Sequence, residues 1–316
     1  MKPLPTLPLP LARVLLHPGF RLAFHHRLPF PAQRALLNGL ARLQPLPPGT
    51  SVRALHLGGR PAERITVGPT SGAGAVLYLH GGGHTVGSPA THRSLAAHLA
   101  REIRRPVYLP DYRLAPEHPC PASTRDALAA FEALTTLEGH APDTVVLAGD
   151  SAGGAIALAT AQLLAADRER LPSALVLVSP WTNPNLVADR SRDLVINRRW
   201  ALSCAAAYLG AGDPADARYA PLLGPMAGLP PTYLHTNTRE LLYSQCLDLA
   251  VALRRADVPL RYAESAVLWH AAQAQAGLVA EAAASLRDIG DFLTANWSRG
   301  RAEAAAAADR DGARSS

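Results

Sequence analysis

The sequence of 316 residues predicts an α/β fold built on a mostly parallel eight-stranded sheet with helices on both faces. Three observations lead there. Short apolar, β-branched runs bounded by turn residues recur eight times. Ala- and Leu-rich stretches with helical spacing separate the later runs, as βαβ crossovers require. Apolar residues make up 48% and charged residues 18%, which suits one large globular core and excludes disorder over most of the chain.

In chain order, residues 1–50 are rich in Pro and His, break the alternation, and read as an N-terminal cap segment. Strands are expected at 51–57, 63–68, 75–80, 106–112, 144–150, 174–180, 232–237 and 259–264, from "SVRALHL" to "PLRYAE". Helical spacing is expected at 89–104, 121–137, 152–167, 242–256 and 271–295. The long gap before "TYLHTN" makes 181–220 a second cap candidate, because insertions of that size between sheet elements usually build a lid or a binding structure. The body is therefore 51–298 with this insertion. Residues 299–316 have no apolar pattern beyond alanine and read as a frayed helix or a disordered tail.

The formal charge of +6 and the pI near 9.6 come from arginines read as scattered rather than gathered in a block with interleaved aromatics, so no nucleic-acid partner is expected. Cys120, Cys204 and Cys246 are widely spaced and form no CxxC pair, which argues against a disulfide framework or a zinc site and fits a reducing cytoplasm. Prolines interrupt the N-terminus, so neither a signal peptide nor the ~20 apolar residues of a membrane span is expected, and no stable membrane insertion.

"GDSAG" at 149–153 fits GxSxG and lies between an expected strand and an expected helix, the context that lifts the match above chance. Ser151 is the candidate nucleophile; the bland alternative is a helix N-cap. A serine hydroxyl needs a histidine base and a carboxylate behind it, arriving in the order Ser, acid, His. His84, His92 and His118 precede Ser151 and violate that order, and His235, inside a strand, reads as a core histidine, which leaves His270 in "AVLWHAAQ". For the acid, Glu240 in "TYLHTNTRELLYS" follows the penultimate strand; Asp248, two turns on, is the alternative. "HGGG" after the third strand supplies backbone N–H groups, from Gly82 and Gly83, that can stabilise a developing oxyanion, with Ala152 as a third donor. A phosphate loop lacks its following Lys and Ser/Thr or a GxGxxG register.

Taken together, "LHGGGHTVGS", "YRLAPEHPCPA", "GDSAGG", "SPW", "LPPTYLHTNTRELL" and "LWH" resemble the hormone-sensitive-lipase-like family of α/β-hydrolases, over about residues 50–295. The resemblance implies an α/β-hydrolase fold with a helical cap, the triad Ser151, Glu240 and His270, and the oxyanion hole Gly82, Gly83 and Ala152. His84, Asp150 and Trp181 are candidate substrate-pocket residues. Three departures stand out: His84 where the family has an aromatic or apolar residue, Glu240 where it more often has Asp, and no glycine before His270. The charged groups of "DYRLAPEHP", Asp111, Arg113, Glu117 and His118, are expected to bind one another and the backbone beneath the site. The implied function is a serine carboxylesterase acting on short- to medium-chain acyl esters through an acyl-enzyme, with no cofactor and no metal. An N-acetyl or amide hydrolase on the same triad, or a non-catalytic ligand-binding relative, is the alternative. The small-molecule ester is the expected partner, with a homodimer left open.

Overall fold

The computed structural model describes residues 6–166, 170–189 and 193–314. Of the segments expected above, residues 1–5, 167–169, 190–192 and 315–316 lie outside the described residues.

The sheet has eight strands, β1 (Thr50–Leu57), β2 (Arg60–Val67), β3 (Ala75–Leu79), β4 (Val107–Pro110), β5 (Val145–Asp150), β6 (Ala174–Val178), β7 (Thr232–Asn237) and β8 (Leu260–Ser265). Their order is β1-β2-β4-β3-β5-β6-β7-β8. Pairing is antiparallel for β1 with β2 and β2 with β4, and parallel from β4 through β8. The helices are α1 (Leu9–Ala23), α2 (Phe30–Ala41), α3 (Pro89–Ile103), α4 (Ala122–Thr136), α5 (Ser151–Ala166), α6 (Arg198–Leu209), α7 (Tyr243–Arg255) and α8 (Ala280–Arg314). The backbone of 299–314 thus continues α8.

The central strands are apolar without interruption because both their faces are covered. In β5, Val145 and Leu147 enter a core with α4, α5 and α7, whereas Val146 and Ala148 enter a second core with α3 and α8. Period-two alternation assigns each residue to one side. A third apolar cluster joins Ala12 and Phe20 of α1 to Trp200 and Cys204 of α6, and to Leu241 and Trp269 of the loops after β7 and β8.

The Pro-rich N-terminal segment is helical. Pro8 and Pro29 stand at the N-caps of α1 and α2, and Pro10 and Pro31 in their first turns, where a missing N–H costs nothing. Proline density marks two helix starts rather than loop. Arg34 of α2 ties this segment to the body: its guanidinium donates to the carbonyls of Thr85 (2.7 Å) and Ala115 (2.8 Å) and pairs with Glu117 (2.7 Å). In the insertion, Asn197 caps α6 by accepting the Trp200 N–H at 3.0 Å, and its amide donates to the Phe24 carbonyl at the end of α1.

Leu147 is fully buried at the centre of the sheet. Leu147→Ala is expected to cost about 3 kcal/mol, the usual size of a cavity left in a rigid core, read as a lower urea midpoint with an unchanged slope.

Candidate active site

β5 passes into α5 with no intervening loop, and Ser151 at the junction has φ +52°, the left-handed region that L side chains rarely adopt. Crowding imposes this turn. A Cβ at Gly153 would lie 2.0 Å from the Leu79 carbonyl oxygen, so only a glycine lets α5 start against the end of β3. The Ser151 carbonyl accepts the Trp181 N–H at 2.9 Å, which braces the turn from the β6 side.

His270 follows β8, and its Nδ1 lies 3.0 Å from Glu240 Oε2, with both residues buried. Glu240 Oε1 accepts the Thr236 hydroxyl (2.5 Å) and the Asn237 N–H (3.2 Å). Burial alone would raise the Glu240 carboxyl, but the hydrogen bond and charge of His270, with hydroxyl donors behind them, hold it below the usual carboxylate value. Burial likewise opposes a charged His270, and the facing carboxylates of Glu240, Asp193 and Asp150 outweigh it, so the imidazole sits above its ordinary value. Asp248 is exposed on α7 and His235 is buried within β7, so neither joins this pair.

Two supports escaped the sequence reading. Asp193 is buried in the insertion, where its carboxylate accepts N–H groups from Leu241 (2.7 Å), Val195 (2.8 Å) and Ile196 (3.1 Å). Desolvation pushes its carboxyl up against the pull of His270. The Asn237 amide donates to the Leu268 carbonyl and joins the loop after β7 to the loop carrying His270. Asp193 lies in no motif. Asn237 sits beside "TRE", and its position three residues before Glu240 is the one available hint.

Gly82 has φ +125°, and a Cβ there would strike the Val86 carbonyl at 2.2 Å, so the loop can turn only on glycine. Its carbonyl closes the turn by accepting the Thr85 and Val86 N–H groups. Among the described residues the N–H groups of Gly82 and Gly83 meet no backbone acceptor. Ala152, second in α5, carries one of the N–H groups that a helix start leaves without an intrahelical partner.

A cavity of about 300 Å³ brings Ser151, His270, Asp150, Gly81 and Gly82 together beneath an apolar wall of Leu15, Phe20, Phe24, Leu40, Val195 and Trp200. Gly83 packs behind it against Trp200 and Cys204. Of the three pocket candidates only Asp150 lines the cavity, and its Oδ1 is already engaged by the Tyr78 hydroxyl and the Gly81 N–H, both at 3.1 Å, and faces His92 Nε2 at 3.1 Å. Burial would raise its carboxyl; the charge and hydrogen bond of His92 bring it below the usual value. His84 and Trp181 lie outside the lining. His84 takes φ +62° and stacks flat on Tyr208, centroids 3.6 Å apart, with Trp181 at 5.9 Å. Its ring nitrogens have no partner among the described residues, and burial pushes its pKa down to about 3, so it packs as a neutral aromatic. The departure from the family pattern is thus chemically mild.

The "DYRLAPEHP" charges differ from expectation. Two of them take distant partners: Arg113 pairs with Asp126 of α4 (2.6 Å) and Glu117 with Arg34 of α2. The Tyr112 hydroxyl donates to the His80 carbonyl beside the glycine loop. Among the described residues, no group of three His, Cys, Asp or Glu side chains is arranged to hold a metal, no helix is long and apolar enough to cross a membrane, and all three cysteines are free.

A family model described as alpha/beta hydrolase fold matches residues 76–274. An esterase of Acinetobacter venetianus is 31% identical over 272 residues, covering 83% of this chain and 88% of that protein. An acetyl-hydrolase of Streptomyces hygroscopicus is 33% identical over 229 residues, covering 68% and 76%. The crystal structure of an esterase from the bacterial hormone-sensitive lipase family superposes with a TM-score of 0.83 at 31% identity, over 89% of this chain and 96% of that one. With strand order, junction and motifs in agreement, the chain belongs to the alpha/beta hydrolase fold family, in its hormone-sensitive-lipase-like group.

Proposed function

We propose that the protein is a cytoplasmic serine carboxylesterase that hydrolyses short- to medium-chain acyl esters through an acyl-enzyme. The observation that carries this reading is the buried Glu240–His270 pair opening into the same cavity as Ser151. The Ser151 hydroxyl attacks the ester carbonyl while His270 Nε2 takes its proton, and Glu240 steadies the imidazolium. The tetrahedral oxyanion is held by the N–H groups of Gly82, Gly83 and Ala152. Collapse expels the alcohol, which receives the proton from His270. Water, deprotonated by the same nitrogen, then attacks the acyl-serine and releases the acid.

The N-terminal helices and the 181–220 insertion act as the cap, and the side chains that line the cavity, Leu15, Phe20, Phe24, Leu40, Val195 and Trp200, hold the acyl chain and exclude water. Hydrolysis of an N-acetyl or amide bond on the same triad is the second reading; an acetyl-hydrolase among the relatives fits an acetyl group on either an oxygen or a nitrogen. A non-catalytic binder would have no need of a buried carboxylate whose proton affinity is depressed by an imidazole.

Ser151→Ala is expected to lower kcat on p-nitrophenyl butyrate by about a thousandfold or more with the fold intact by circular dichroism; equal rates would remove the nucleophile. Glu240→Gln should cost about a thousandfold and Asp248→Asn almost nothing, a ranking that steady-state kinetics on both variants checks. Because His270 must be neutral to accept a proton and its pKa lies above 6.5, kcat/KM should fall on acidification with a midpoint above 6.5. In Glu240→Gln the attracting charge is gone, so that midpoint should move down. Across a p-nitrophenyl ester series, the maximum should lie below the decanoate.

A further inference from the structure

The charge of this protein is not evenly spread. Eight of its 31 Lys and Arg residues and none of its 25 Asp and Glu fall within residues 1–62, so the other 254 residues carry two more acids than bases. This corrects the impression of scattered arginines: the whole positive excess belongs to the segment that forms α1, α2 and the start of the sheet.

The same segment exposes apolar side chains where a surface helix is ordinarily polar. On α1, Leu11, Val14, Leu15, Pro18 and Leu22 recur at three- and four-residue spacing and all face solvent, Val14 at 69% exposure and Leu22 at 58%. Its opposite side packs Ala12, Leu16 and Phe20 inward. A helix apolar on both sides is normally buried on both. Beyond α2, Leu43 is 78% exposed. Leu15, Leu40 and Leu43 also line the cavity that holds Ser151, so the exposed apolar side chains reach the wall of the site.

Cations frame the strip. Arg21, Arg27 and Arg42 are exposed beside it, and Arg198 and Arg199 stand exposed at the start of α6, which Asn197 ties to the end of α1. Exposed leucines bordered by arginines match the two terms of interfacial binding: apolar insertion at the headgroup boundary and attraction to negative phosphates. A second copy of this chain fits less well, because a self-matched contact would press two acid-free, positive faces together.

We propose that the outer face of α1 and the end of α2 dock on an anionic lipid surface, with the cavity mouth turned toward the lipid. Hydrolysis of soluble esters does not depend on this surface, and binding can be read without catalysis.

The test uses full-length Ser151→Ala protein in flotation with vesicles of phosphatidylcholine alone or with about 30 mol % phosphatidylglycerol at low salt. Partitioning should be about tenfold or more stronger on the anionic vesicles and fall steeply in high salt. Val14→Ser/Leu22→Ser and Arg21→Glu/Arg42→Glu should each lower it about tenfold or more, while the same pairs in the Ser151 background hydrolyse p-nitrophenyl butyrate at the wild-type rate. Equal weak binding to both vesicles, or strong binding that ignores both variants, overturns the proposal. So does a stable dimer in sedimentation velocity that Val14→Ser/Leu22→Ser disperses, which would make a second copy the occupant.

Discussion

The hydrogen bond between His270 Nδ1 and Glu240 is the contact on which the site depends. Both groups are shielded from water, where an unpaired charge costs several kcal/mol, about 3–5 when one partner of a buried pair is removed. The fold therefore surrounds them with donors. Thr236 and the Asn237 N–H saturate the far oxygen of Glu240, the Asn237 amide grips the loop that carries His270, and Asp193 collects three backbone N–H groups, one of them from the residue after Glu240. Two separate sheet-edge loops become one rigid unit. Each acceptor also tunes its neighbour: the imidazole is held more basic and the carboxylate more acidic than either would be alone.

The other half of the site is built by close approach rather than by charge. Gly153 lets α5 begin against β3, which throws Ser151 into a left-handed turn, and the preceding Asp150 reaches sideways to hold the Gly81 N–H. A single dipeptide, Asp150–Ser151, thus sets both the hydroxyl and the glycine loop opposite it. The cost of a left-handed serine, of order 1–2 kcal/mol, is offset by the buried contacts of β5 and α5.

Much of this was legible beforehand, and the reasons are physical. The central strands, covered on both faces, are continuously apolar and were visible as runs, whereas the half-exposed β1, β2 and β8 were visible from short β-branched stretches between turn residues. Ser151, Glu240 and His270 were singled out because glycines mark the turn and the sheet's topology orders the three segments. What was hidden lies in groups that act through backbone. Asp193 binds only N–H groups, which leave no imprint on neighbouring residue types. The N-terminal helices were masked by prolines that turned out to start them, and the role of His84 depended on a stacking partner, Tyr208, far along the chain. The Arg113 and Glu117 partners, Asp126 and Arg34, come from helices whose docking no local pattern encodes.

One consequence of the Arg34 clamp concerns mechanical coupling. The guanidinium grips the Thr85 carbonyl, and Thr85 belongs to the turn that Gly82 closes. The N-terminal helices are therefore fastened to the same hairpin of backbone that presents the glycine amides. Loss of that segment, by nicking between α2 and β1 for example, would not merely widen the entrance. It would also loosen the loop that carries those amides, because Arg34 fastens the entrance helices and the glycine turn to each other.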